Sequence, residues 1–403
     1  MIKIKFFTRV VPILIIGCSL AIFNPLYAAT DSFDVILNQT FMSDDNLYRL
    51  PDDISPAGSD GETVSRSDRI QSTSLGLHFD QIYSLQGLRA ELDFIRNAYQ
   101  KSQQLDFTAK NALAAWDWQL GNRFSGEVSA FQTESLRGFA DRASTIQSIN
   151  TMRRFEADGD WWFHPRWSVG GMVGTVSSRN SDEESNLAEY DQDILETWIS
   201  YRTFTPNVLS LVFGNIDQEY PNRVADPLLP SRFQQNYVRL RGDMQVTGQS
   251  FLSGFIGQTQ RDYPDLEEKD FSGITGRITY RWIPREKLII SFSAARDLEA
   301  REDIFDNYAV AQTLSFTPQW IISDKTSAQL NVVRRKRENQ GGLFGPLAPD
   351  RDDLTTNVNA SFKWKPVEKM DVDLSLMNLD RSADQALDEY SAQTSTISVT
   401  YAF

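Results

Sequence analysis

The chain is poor in the residues that usually carry chemistry. It has one cysteine, Cys18, and two histidines, His78 and His164. With no cysteine after position 18, a disulfide framework or a thiolate metal site is excluded for the rest of the chain. Beyond the N-terminal segment no apolar run reaches the roughly 18 residues that a membrane-spanning helix needs. Positive charge is also short: 40 Lys and Arg stand against 54 Asp and Glu, a formal net charge of −14. Nucleic-acid binding, which needs a basic footprint, is therefore not expected. No Gly-x-Ser-x-Gly elbow, phosphate-binding loop or zinc-helix motif occurs. The two histidines lack the spacing of a metal pair, so the sequence assigns no catalytic residue, cofactor or metal ligand. His78 with nearby Asp80 imitates part of a hydrolase site, against the plainer reading of a structural histidine on a strand.

The N-terminus does carry a signal. Lys3, Lys5 and Arg9 precede an apolar stretch from Val10 to Phe23, and Ala28 and Ala29 follow the helix-breaking Pro25. This layout predicts a secretory signal peptide over residues 1–28. Ile15-Ile16-Gly17-Cys18 imitates a lipobox, but the apolar stretch continues past it to the later small-residue site. Cleavage near Ala28 takes three positive charges and leaves 375 residues, 29–403, with formal net charge −17. That portion reads as one domain.

Mean hydropathy of −0.38 fits a water-soluble protein, yet the patterning points elsewhere. Ile397, Val399, Tyr401 and Phe403 alternate with Ser398, Thr400 and Ala402. Val358, Ala360, Phe362 and Trp364 alternate with polar residues, as do Val238, Leu240, Met244 and Val246. Side chains along a strand point to opposite faces in turn, so each segment has one apolar and one polar face. Only alternate residues of a closed barrel have to meet lipid, which reconciles polar composition with membrane insertion.

Connections fall into two classes. Short turns are expected near 80–84, 121–123, 164–165, 205–207, 247–250, 284–286, 323–325 and 366–368, about 40 residues apart. Longer polar stretches lie between them at 44–66, 134–150, 179–192, 218–231 and 340–353. Aromatic and cationic segments precede several short turns: Trp161-Trp162-Phe163, Tyr201-Arg202-Thr203-Phe204, Tyr280-Arg281-Trp282 and Phe362-Lys363-Trp364. Such side chains suit a headgroup-level girdle. The expected fold is an all-β, transmembrane, antiparallel up-and-down barrel of about 18 strands, 16 being the alternative, with short periplasmic turns and longer extracellular loops. Either count leaves an aqueous lumen.

With the apolar face toward lipid, Arg89, Arg239, Arg241 and Arg277 point into the lumen, each about 6 to 9 residues from its short turn and so near mid-depth. Tyr237 and Arg154 join them as candidates for solute passage. Two readings stand. The arginines form a cationic constriction favouring anions, or they brace the wall by pairing with Glu91, Asp93, Glu196 and Asp243. The clusters Asp44-Asp45, Asp182-Glu183-Glu184 and Asp350-Arg351-Asp352-Asp353 match no calcium-loop spacing and read as solvated loop tips. Arg334-Arg335-Lys336-Arg337 reads as a solvated strand end or a contact for lipopolysaccharide phosphates.

The segment Thr40-Phe41-Met42-Ser43-Asp44-Asp45-Asn46-Leu47-Tyr48-Arg49-Leu50-Pro51 resembles the opening of the EpsL-type outer-membrane proteins, which accompany exosortase-linked extracellular polysaccharide clusters. Overall length, the immediate start of the barrel and the terminal Tyr401-Ala402-Phe403 are similar too. The resemblance implies non-enzymatic export of an exopolysaccharide, with periplasmic polysaccharide export proteins as partners and no catalytic residues to carry over. The terminal residues resemble the signal read by the barrel-assembly machinery, and outer-membrane lipid and lipopolysaccharide would surround the chain. A general or substrate-selective uptake porin is the alternative, and a structural or adhesive barrel the second. The barrel's immediate start leaves no room for a plug domain, which argues against an energy-coupled transporter.

Overall fold

The computed structural model describes residues 32–56, 64–140, 144–203, 207–223, 230–300, 308–340 and 352–403. The expected signal peptide, with Cys18, lies outside these residues, as do 204–206 and most of the 340–353 stretch, Asp350 and Arg351 included.

Period-two patterning gives strands, and the strands close into one ring. In chain order they are β1 (Phe33–Asp44), β2 (Asp68–Tyr83), β3 (Gln86–Tyr99), β4 (Phe107–Leu120), β5 (Phe124–Leu136) and β6 (Ile149–His164). Next come β7 (Trp167–Asn180), β8 (Tyr190–Arg202), β9 (Val208–Glu219), β10 (Arg232–Thr247), β11 (Ser250–Asp262) and β12 (Phe271–Arg285). The last six are β13 (Leu288–Ala300), β14 (Tyr308–Ser323), β15 (Thr326–Gln340), β16 (Asp353–Val367), β17 (Met370–Ala383) and β18 (Tyr390–Ala402). Each pairs antiparallel with its sequence neighbours, and β1 also pairs with β18, from Ile36 opposite Ala402 to Asp44 opposite Thr394. The fold is thus a closed, antiparallel, 18-stranded all-β barrel. Closure leaves no unpaired sheet edge, the condition for a strand protein to tolerate hydrocarbon.

All eight expected short turns separate consecutive strands at one end. A two-residue turn joins Tyr83 to Gln86, with Ser84 at φ +58°, a left-handed backbone. Gly121 takes φ +61° between β4 and β5, where a side chain would strain the chain. At five of these hairpins the register shifts just before the turn, including Trp161/His164, Trp282/Arg285 and Trp364/Val367. These irregularities accommodate Pro284 and Pro366, which cannot donate to a ladder. The opposite end has nine connections. Four of them, between β3 and β4, β11 and β12, β13 and β14, and β17 and β18, escape the sequence reading.

The outer face is apolar and bare. Leu240, Ile274, Leu314 and Leu376 are each more than half exposed. Toward the short-turn end aromatic rings replace them: Phe124 stacks on Trp161 at 6.0 Å, and Trp167 meets Tyr201 at 4.8 Å. Trp161 and Tyr201 belong to two of the expected girdle segments, and Trp282, Phe362 and Trp364 of the other two are likewise exposed; Phe204 lies outside the described residues.

Candidate functional site: the inner wall and its mouth

Alternation fixes which residues line the interior. Val238 and Leu240 are exposed outside, so Tyr237, Arg239 and Arg241 of β10 face inward. The Tyr237 hydroxyl donates to Glu196 Oε1 on β8, and Arg241 Nη2 donates to Glu196 Oε2 at 3.0 Å. The Arg239 guanidinium lies 3.7 Å from the centre of the Tyr237 ring and 4.6 Å from that of Phe255 on β11. Gly214 of β9 makes room for this stack, because a Cβ there would sit 2.0 Å from Tyr237 Cζ. On β12, Arg277 Nη2 pairs with Asp297 Oδ2 at 3.0 Å.

The bracing reading holds for most of the candidate arginines, with different partners. Arg89 pairs with Glu127 at 2.9 Å and Asp117 at 3.4 Å, and Arg154 pairs with Glu156. Of the predicted partners, Glu196 alone takes its role. Glu91, Asp93 and Asp243 pair with none of these arginines, because inter-strand register sets the facing carboxylates and sequence proximity does not. Arg239 is different: among the described residues no carboxylate lies within ion-pair distance of it, and its buried Nε has no hydrogen-bond partner.

A single ring of cations is not formed. Tyr237, Arg239, Arg241 and Arg277 share one patch on β10 and β12, whereas Arg154 is on β6 and Arg89 on β3, eight strands round the ring from β11. Arg89 is also the fourth residue of β3, close to the short turn rather than at mid-depth.

At the long-loop end the connection between β5 and β6 folds inward. Arg381 of β17, buried and inward-facing, donates from Nη1 to the Ala140 carbonyl at 2.7 Å. β17 lies six strands round the ring from β5, roughly 30 Å along the wall at about 4.8 Å per strand. The connection therefore reaches across the mouth. Asp353 joins Arg381 at 3.2 Å to Arg337 at 2.9 Å, with the carboxylate wholly buried. On the other side Phe139 packs with Leu47, Tyr48, Tyr99 and Leu105 in a buried apolar cluster.

One acid in each of two acidic stretches is therefore not solvated. Asp353 anchors the arginine pair, and Asp44 is 3% exposed. Asp44 accepts from the Asn46 amide at 2.9 Å and pairs with Arg49 at 2.7 Å. Burial of Arg49 opposes its charge, but hydrogen bonding to Asp44 and the Asp44 charge outweigh it and raise the pKa. Asn46 bonds the Leu50 and Ser391 carbonyls, both at 2.8 Å. The segment from Asp44 to Pro51 is a clasp that turns the chain inward, with Arg49 at φ +54°. Asp182 accepts from the Ser185 amide, capping a short turn of 3-10 helix. The basic run splits by alternation: Arg335 and Arg337 pair inward with Glu299 and Asp353, whereas Lys336 meets Glu338 and Asp352 on the outside.

His164 sits at a short turn, where its Nδ1 accepts from the Arg166 amide at 3.1 Å. His78 faces inward on β2, and its Nε2 lies 3.1 Å from Asp93 Oδ1, not beside Asp80.

The sequence matches no family model and no curated protein. In fold it is similar to OccAB3 of Acinetobacter baumannii, at 9% identity and TM-score 0.50, covering 92% of this chain and 98% of that one. It is similar also to Pseudomonas aeruginosa OccK2 in complex with glucuronate, at 9% identity and TM-score 0.51 with the same coverage. A BenF-like porin from Pseudomonas fluorescens gives 9% identity and TM-score 0.50, again over 92% and 98%. At such identity the likeness is one of fold.

Proposed function

We propose that the chain is an outer-membrane channel for the selective uptake of small anionic solutes, sugar acids foremost. The observation that carries this reading is Arg239, an inward cation held against Tyr237 and Phe255 with no carboxylate of its own. A guanidinium beside aromatic rings offers an anionic sugar both a charge partner and a stacking surface. Glu196 and Asp297 hold the neighbouring Arg241 and Arg277 in place, so the patch keeps positive character at fixed geometry. The exposed apolar belt and aromatic girdle support insertion in a bilayer, and the expected signal peptide supports delivery to the outer membrane. The fold likeness to OccK2, solved with glucuronate, agrees with an acidic sugar as the first solute to test.

Polysaccharide export is the second reading. It rests on the resemblance of the Thr40 to Pro51 segment, whose residues form the clasp described above. A connection lying across the mouth narrows the path for a polymer more than for a monosaccharide, which favours the small-solute reading. Export would add periplasmic polysaccharide export proteins as partners, and β18 with its terminal Phe403 would engage the barrel-assembly machinery. Arg296, Arg334 and Lys336 lie on the outer face beside Ile274 and Leu314, an arrangement suited to lipopolysaccharide phosphates above acyl chains.

Single-channel recording of the refolded protein tests the proposal. Glucuronate should block the current in brief events, neutral glucose far less, and Arg239→Ala should weaken glucuronate block about tenfold. An open pore indifferent to glucuronate would overturn selectivity. A closed barrel would return the adhesive reading.

A further inference from the structure

The inner wall of β1 to β3 carries a constellation that bracing leaves over. His78 of β2 stands directly opposite Asp34 of β1 and Glu91 of β3 in the antiparallel register. Asp93, two residues along the same face of β3, brings Oδ1 to 3.1 Å from His78 Nε2. One nitrogen of His78 and one oxygen each of Glu91 and Asp93 all lie within 4.8 Å of one another. His78 and Asp93 are each about 30% exposed, His78 at 28% and Asp93 at 31%, so the group is open to lumenal water.

Charge sets this cluster apart from the arginine-paired acids of the wall. Glu127, Glu156, Glu196 and Asp297 each face an arginine. Among the described residues, neither Glu91 nor Asp93 has a lysine or arginine within ion-pair distance, and His78 is their basic neighbour. A protonated imidazole would offset one of the two carboxylates, and Asp34 adds a third acid on the opposite flank. Two carboxylates on one strand face, a few ångströms apart and partly desolvated, repel unless a further positive charge joins them.

The backbone makes room for the ligand side chains themselves. Gly76 stands opposite Asp93, and a Cβ at position 76 would lie 2.6 Å from Asp93 Oδ1 and 3.1 Å from His78 Nε2. Glycine thus keeps the ligand atoms clear on the side of β2.

We infer that His78, Glu91 and Asp93 form a lumenal binding site for a first-row transition-metal dication, with zinc the representative. The mixed donor set decides the class. Imidazole nitrogen disfavours calcium and magnesium, which take oxygen ligands, and suits zinc and its neighbours. Three protein ligands leave the remaining position to water. Bonds of about 2.1 Å place tetrahedral donors about 3.4 Å apart, so entry of the ion spreads the His78–Asp93 contact slightly from 3.1 Å and draws any wider separation in from at most 4.8 Å. A bound dication would turn this acidic sector of the wall locally positive.

Isothermal titration of the refolded full chain with zinc chloride tests the site without any ion flow, so its outcome is independent of the channel reading. One zinc per barrel is expected, with affinity reduced at least about tenfold in Asp93→Asn and in Glu91→Gln. Gly76→Ala removes no ligand but crowds two of them, and should weaken binding as well. Cobalt(II) reports the donor set: its visible absorption should appear with the natural chain and be lost with His78→Gln. Retained heat-modifiable migration shows that each variant is folded. Absence of saturable binding, or binding equal in the natural chain and all four variants, would overturn the inference.

Discussion

The Tyr48 ring meets the Phe139 ring edge-on, with centroids 4.8 Å apart and planes at 60°. Tyr48 belongs to the clasp after β1 and Phe139 to the connection that crosses the mouth, so this contact ties one to the other. Both rings are buried. Tyr48→Ala should remove about 3 to 5 kcal/mol of local packing and loosen the crossing connection. Arg137, buried beside it, then becomes a trypsin site. The expected outcome is rapid nicking at Arg137 and a larger, noisier single-channel current in the variant. Natural protection and conductance in Tyr48→Ala would show that the polar contacts, Arg381 to Ala140 and Gln147 to Asp106, hold the connection without the ring.

Alkali should act on the same cluster. Burial raises the Tyr48 pKa, while the hydrogen bonds that its hydroxyl gives to Ser102 and takes from Gln104 oppose the rise and the Asp68 charge adds to it. The folded state therefore keeps a proton that the unfolded state releases, and stability falls as pH rises. The contribution is complete below the unfolded tyrosine value of about 10 and is lost above it. Trypsin sensitivity at Arg137 should thus increase from about pH 10 upward. Tyr48→Phe keeps the ring without the titrating group and should flatten that dependence. An identical pH profile in the phenylalanine variant would remove Tyr48 as the cause.

Much of the barrel is legible because its signals are local. Alternation sets strand faces, and turn chemistry at Ser84, Gly121 and Pro165 ends the strands wherever the partner lies. The ion pairs are less legible because they depend on register. Arg241 meets Glu196 across β9, from β10 to β8, and no local pattern joins those positions. His78 and Glu91 are an intermediate case. A tight hairpin pairing Tyr83 with Gln86 places residue 78 opposite 91, so counting outward from the turn finds the pair. Buried Asp44 and Asp353 read as loop acids because their partners, Asn46 and Arg49 apart, come from distant sequence or from a neighbouring strand. The inward fold of residues 137–140 has no period to betray it.

Gly214 tests whether the Tyr237 stack is needed for selectivity. Its replacement by alanine leaves every charge in place, yet drives a Cβ into the Tyr237 ring, a rigid group that can only swing away. The cost should be about 1 to 3 kcal/mol as overpacking. Displacing the ring separates its hydroxyl from Glu196 and removes the platform beneath Arg239. Glucuronate block should therefore weaken in Gly214→Ala nearly as much as in Arg239→Ala, with the reversal potential under a salt gradient little changed. Undiminished block would mean that Arg239 acts as a simple point charge.

Asp353 holds two arginines that come from strands on either side of its own. Arg337 of β15 and Arg381 of β17 both bond its carboxylate, and the three side chains are at most 9% exposed. A buried charge that loses its partner keeps its desolvation cost without compensation, typically about 3 to 5 kcal/mol. Asp353→Asn keeps the shape of the side chain but leaves two cations facing a neutral amide, so the loss should lie in that range and lower Tm measurably. The arginines would then repel, and Arg381 would move from the Ala140 carbonyl that it now reaches at 2.7 Å. Arg381→Met separates the two effects. It frees Ala140 while leaving the Asp353–Arg337 pair intact, so it should raise conductance at a smaller cost in Tm. If Arg381→Met left conductance unchanged while Tyr48→Ala raised it, the clasp would hold the crossing connection and the arginine pair would serve the rim alone.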